Sequence, residues 1–185
     1  MLALLAMTNG AVSADRSAKK QISGLHEQVG ISELGLTLDA KMDTGAQTVS
    51  LSATRIKEYE KDGERWVRFQ LTSRKRDMER WGLDPEQTQT IRLPLTGDVR
   101  IKQRAESLED GERRYRYRPL VELTLCVGGR QTRVTANLAD RHRFAYPLLM
   151  GAEAMRELGL VVDPSQSMSL GAPRCKTQDE PQPPA

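Results

Sequence analysis

The sequence predicts an all-β domain with one or two short helices. Two patterns carry most of that prediction. Leu36, Leu38, Ala40 and Met42 alternate with Thr37, Asp39 and Lys41, the period of two expected of a half-buried strand. Residues 120–138 read as a hairpin, with Val121, Leu123, Leu125 and Val127 alternating before Gly128-Gly129 and Val134, Ala136 and Leu138 after it. A third observation is that the remaining apolar runs are short and bounded by turn residues such as Asp62-Gly63 and Thr96-Gly97-Asp98.

The elements follow in chain order. Residues 15–21 are charged and polar, and the first strand read is 36–42, which ends at Asp43-Thr44-Gly45-Ala46. Residues 48–52 form the next strand, and 55–61 suit one helical turn. The Asp62-Gly63 turn leads into a strand over 66–71. Residues 72–90 are polar without period and read as a long surface loop, followed by short strands at 91–95 and 99–101. In the 120–138 hairpin both glycines are expected to supply positive φ. Tyr146-Pro147-Leu148-Leu149-Met150-Gly151 then runs into a helix over 152–158, with Gly159 as its cap. Residues 161–163 and 168–170 are expected as closing strands, and the proline-rich tail 173–185 as disordered.

The chain has 185 residues, enough for one domain, taken here as 22–172, without help from metal or disulfides. Lys plus Arg number 28 against 25 Asp plus Glu, a formal charge of +3, mildly basic and far from an arm-type nucleic-acid binder, so no nucleic acid is expected as partner. Two cysteines, Cys126 and Cys175, and two histidines, His26 and His142, match no zinc pattern, so neither metal nor other cofactor is expected. No segment approaches the ~20 apolar residues of a membrane span.

Residues 1–14 read as a signal peptide: a short apolar run, Met1 to Met7, then Val12-Ser13-Ala14 as a small-residue cleavage site. No Lys or Arg precedes Arg16, so a charged n-region is missing. Cleavage after Ala14 implies a periplasmic or secreted protein; without it, a cytoplasmic one. Export would also permit a Cys126–Cys175 bridge.

Asp43-Thr44-Gly45-Ala46 is the strongest chemical signal. Two carboxylates within hydrogen-bonding distance cannot both ionise, so such a pair holds one proton and can activate water with one member while polarising a carbonyl with the other. Gly45 would allow a sharp turn beside the carboxylate and Thr44 a hydroxyl to brace it. Alone, the triplet equally suits an ordinary Asx turn.

In its wider context this segment resembles the start of a retropepsin-like aspartic protease, and Leu148-Leu149-Met150-Gly151 followed by a helix resembles the second hallmark of that fold. The chain is most similar to the bacterial retropepsin-like family often labelled an ATP-dependent zinc protease. The matching stretches are Ala40 to Ala46, Trp66 to Phe69, Arg118 to Val121, Leu138 to Arg141 and Tyr146 to Gly151, with Val162-Asp163 closing. The resemblance implies an acid-protease barrel, Asp43 as the catalytic residue, Thr44, Gly45 and Ala46 shaping its loop, and Leu149 and Gly151 packing behind it. It also implies a flap, expected between Trp66 and Ile101. It departs at Ala152, where the family pattern has arginine. No HExxH and no glycine-rich phosphate loop support the label's zinc or ATP.

Only one Asp-Thr-Gly is present, so a dyad requires Asp43 from two subunits and an active homodimer. Arg113-Arg114-Tyr115-Arg116-Tyr117-Arg118 alternates Arg and Tyr, which suits a charged edge strand. Arg114 and Arg116 are also candidates for binding an acidic peptide substrate. The expected function is an aspartic endopeptidase that hydrolyses amide bonds with water. The alternative is an inactive peptide-binding or scaffolding dimer of the same fold.

Overall fold

A computed structural model describes residues 19–72, 78–79, 90–102, 115–142 and 144–175. Its strands are β1 (Gln21–Gly24), β2 (His26–Ile31), β3 (Leu36–Met42), β4 (Val49–Lys61), β5 (Glu64–Leu71), β6 (Thr90–Pro94), β7 (Gly97–Lys102), β8 (Tyr115–Val127), β9 (Arg130–Ala139), β10 (Leu148–Met150) and β11 (Leu160–Asp163). An α-helix, α1 (Ala152–Glu157), and a 3-10 turn at Ser32–Leu34 accompany them among the described residues. The all-β acid-protease expectation holds.

The barrel closes through one short strand. β10 pairs parallel with β3 and antiparallel with β4, which joins the two ends of the path β3-β2-β8-β9-β4 into a ring. β5 and β6 extend outward from β4 as an arm, and β7 pairs with the first half of β8. β1 and β11 form a separate two-stranded parallel sheet. Inside the ring, Leu38, Met42, Leu51, Leu123, Leu125, Leu138, Leu148 and Met150 are all at most 1% exposed. Each contributes about 1.5–3 kcal/mol relative to an exposed side chain.

Several elements differ from the sequence expectation. Residues 55–61 continue β4 instead of forming a helical turn. A one-residue bulge between Thr54 and Lys57 places Arg55 at φ 50°, and cross-strand pairing to β5 outweighs local helix preference. Only Gly128 of the hairpin pair has positive φ, at 59°. Residues 168–170 form a turn rather than a strand, with Met168 at φ 55°. β1 and β2 were not anticipated, because Glu27 occupies a core-facing position in β2 and masks its period.

That carboxylate is fully buried and satisfied: it accepts hydrogen bonds from the amides of Gly24, Ser169 and Leu170 and from the Ser169 hydroxyl. It thereby pins the segment after β11 onto β2. Further on, Pro173–Cys175 are held in place, since Cys175 is disulfide-bonded to Cys126 and the Arg174 amide donates to the Gly128 carbonyl. The described chain therefore runs past the expected start of the disordered tail at 173; residues 176–185 lie outside the described residues, as do residues 1–14 of the expected signal peptide and most of the loop expected at 72–90.

Candidate active site

Asp43 follows directly from β3, and its position is set by β10. The Asp43 amide donates to the Met150 carbonyl at 3.0 Å, extending the parallel β3–β10 ladder by one step. The chain then turns: Asp43 Oδ1 accepts from the Gly45 amide at 3.0 Å, and the Asp43 carbonyl accepts from the Ala46 amide. This is an Asx turn closed by the carboxylate itself, leaving Oδ2 available. The side chain is half-exposed.

Gly151 lies against the far end of the same loop. A Cβ added there would fall 2.4 Å from the Thr48 carbonyl oxygen and 2.5 Å from that of Gln47, so only glycine fits. The Ala152 amide donates to the Ala46 carbonyl and the Glu153 amide to that of Gln47, so the start of α1 clamps the loop that follows Asp43. The sequence-read pairing of loop and second motif is thus one hydrogen-bonded unit. Leu149 differs in detail: it stands beside Lys41 and Ser50 and is half-exposed, while its neighbours Leu148 and Met150 face the core. Thr44 is exposed and makes no side-chain hydrogen bond among the described residues. Arg116 is exposed on β8, and Arg114 lies outside the described residues.

Three side chains not singled out from the sequence complete the site. Asn137, buried on β9, donates to the Val49 carbonyl at 2.8 Å and accepts from the Ser50 hydroxyl and from Arg118 Nη1 at 3.0 and 3.1 Å. It ties the strand leaving the Asp43 loop to the β8–β9 hairpin. Arg141, at the end of β9, is 9% exposed, stacks on Phe144 at 4.5 Å and has a buried Nε without a hydrogen-bond partner. Burial, then the neighbouring Arg118, push its pKa down, while the nearby Asp43 carboxylate acts in the opposite direction. Arg118 is likewise lowered, first by burial and then by Arg116. Arg141 has no ion-pair partner among the described residues. A sheltered guanidinium lacking a fixed anion, set near an exposed carboxylate, suits an incoming anionic group. The signal in the sequence was weak, since Arg118, Asn137 and Arg141 belong to different strands or strand ends.

Among the described residues, no group of three His, Cys, Asp or Glu side chains could hold a metal ion, and no helix is long and apolar enough to cross a membrane.

Residues 22–172 match the RimB-like family, described as retropepsin-like aspartic endopeptidase RimB. Proteins named probable alpha-L-glutamate ligase are 31% identical over 84% of this chain in Shewanella pealeana and in Shewanella halifaxensis, and 28% identical over 82% in Desulfotalea psychrophila. This chain spans about a third of the length of those relatives (31%, 31% and 30%). A crystal structure of the Legionella pneumophila protein Lpg0085, of unknown function, superposes with a TM-score of 0.60 at 29% identity, covering 80% of this chain and 97% of that one.

Proposed function

The chain belongs to the RimB-like family of retropepsin-like proteins, and from that premise we propose that it is an aspartic endopeptidase acting on acidic peptides as a homodimer. The observation that carries the proposal is the Asp43 loop, with one carboxylate oxygen engaged by the Gly45 amide and the other open, on a rigid β3–β10 support.

Two copies of Asp43 across a two-fold axis would share one proton. The ionised carboxylate takes a proton from water as that oxygen bonds to the substrate carbonyl carbon, and the protonated carboxylic acid hydrogen-bonds the carbonyl oxygen. Collapse of the tetrahedral adduct breaks the C–N bond, and a proton from the dyad goes to the departing amine. Thr44, exposed beside Asp43, is available to a second copy of the loop. The β7–β8 hairpin is the natural flap. Its connection, residues 103–114, begins beyond the 66–101 interval expected from the sequence and lies outside the described residues.

Two observations support an acidic substrate. Arg141 brings sheltered positive charge near Asp43, with Arg118 beside Arg141. The relatives named alpha-L-glutamate ligases suggest a chain of α-linked glutamates as the polymer such an enzyme would cut. Export is proposed as well, because the Cys126–Cys175 disulfide suits an oxidising compartment.

The test is digestion of a glutamate-rich peptide library by the full chain beside Asp43→Asn, from pH 4 to 7, with the oligomeric state measured alongside. Cleavages made only by the wild type, by a dimer, are expected. An empty digest from a confirmed dimer would favour the second reading, an inactive peptide-binding dimer. That reading draws on Ala152, which begins α1 where the related pattern has arginine.

A further inference from the structure

The arm formed by β4, β5 and β6 carries a second cationic feature, outside the barrel ring. Strand register sets Lys57 opposite Arg68 and Arg68 opposite Arg92, so three strands each contribute one cation to a single row across the sheet. All three are exposed, and none makes an ion pair among the described residues. Directly opposed like charges destabilise a sheet. Another arginine of the arm is neutralised, since Arg65 is held by Glu58 of β4 and Asp98 of β7 at 2.8 and 3.1 Å. The unneutralised row is therefore a selective feature of one face.

The β4 bulge adds a fourth cation. Arg55, at a left-handed φ of 50° that non-glycine residues rarely adopt, joins Lys57, Arg68 and Arg92 around a cleft of about 270 Å³ whose other lining includes Gln70 and Thr90 and no carboxylate.

We propose that this row is a docking site for an acidic polypeptide segment, which holds the substrate chain outside the catalytic cleft. The identity of that chain as substrate rests on the peptidase reading above. Strands lie about 4.8 Å apart, so the row spans about 10 Å, and carboxylates on one side of an extended chain recur about every 6.8 Å; about two can be met at once. β4 itself begins six residues after Asp43 and carries Arg55 and Lys57, so one strand links the catalytic loop to the row. A polypeptide fits better than nucleic acid, because Lys61 Nζ sits over the Trp66 ring at 5.5 Å and occupies a face on which a base would stack. Exposed charges of this kind speed encounter and raise apparent affinity at low salt.

The experiment measures anisotropy of fluorescein-labelled peptides of four and of sixteen glutamates with the full chain carrying Asp43→Asn, at low salt. Arg68→Glu is compared with Arg156→Glu, an exposed position on α1 that changes net charge equally. Arg68→Glu is expected to weaken the long peptide tenfold or more and leave the short one within twofold, while Arg156→Glu leaves both within twofold. Equal weakening by Arg156→Glu, equal weakening of both peptides, or tighter binding of a single-stranded oligonucleotide of matched charge would overturn the proposal. Retained cleavage with no effect of Arg68→Glu on long-peptide binding overturns this site alone. Long-peptide binding that depends on Arg68, without cleavage by the wild type, overturns the peptidase reading alone.

Discussion

Gly151 and Thr48 meet backbone to backbone, so closely that a methyl group on Gly151 would lie 2.4 Å from the Thr48 carbonyl oxygen. This contact fixes the distance between the second motif and the loop that bears Asp43. Gly151→Ala must push the loop away from α1, at a cost of about 1–3 kcal/mol. A lowered melting temperature is expected together with loss of peptide cleavage. Unchanged melting would mean that the loop moves freely.

Asn137 makes contacts that no other side chain at that position can reproduce. Asn137→Ala leaves the Val49 carbonyl unpaired and frees Arg118, with an expected loss of about 1–3 kcal/mol. If Arg118 reads substrate carboxylates, KM for a glutamate peptide should rise more than kcat falls. Steady-state kinetics on peptides with and without glutamate beside the scissile bond check this.

The buried Glu27 carboxyl group is held by four donors, none of them charged. Glu27→Ala strands the amides of Gly24, Ser169 and Leu170 and should cost about 3 kcal/mol or more. Because the Ser169 and Leu170 donors lie after β11, protease nicking after residue 165 should increase in the variant, read by mass spectrometry of limited digests.

The Cys126–Cys175 bridge spans a sequence separation of 49 residues. Chain-entropy arguments give about 4 kcal/mol for a loop of that size. Reduction, or Cys175→Ser, is expected to lower the melting temperature by several degrees. No change on reduction would remove the bridge as a stabilising element and with it the structural support for export.

Asp163 carries a pH signature. The Ser165 hydroxyl, the Ser165 amide and the Gln166 side chain hold its carboxyl below the ordinary range, in that order of importance. A depressed folded-state pKa adds stability that is complete above the unfolded value and lost as pH falls through the folded one. The loss should fall below about pH 4. Asp163→Asn is expected to lower the melting temperature most above about pH 4, and the variant and wild type should converge as pH falls below that value.

The sequence by itself determined the local pieces of this protein. Alternation over Leu36 to Met42 gave β3 its bounds, and alternation about Gly128-Gly129 gave the β8–β9 hairpin its turn, though β8 begins five residues before the expected start; side-chain period and turn chemistry act between near neighbours. The Asp43 loop and the Gly151 motif were legible for the same reason: each is a short run with its own signature, and together they identified the fold. What only the tertiary structure decided were the contacts made across the chain. Inserting β10 between β3 and β4 closes the ring and carries Met150 to Asp43. Burying Glu27 beneath Ser169 turns an apparent surface residue into a hydrogen-bonded anchor for the segment after β11. Register alone sets Lys57, Arg68 and Arg92 in one row and brings Arg118 to Asn137, since a single-residue shift would turn each side chain to the opposite face. Such contacts depend on which strands pair and in what register, a long-range choice that no local period encodes.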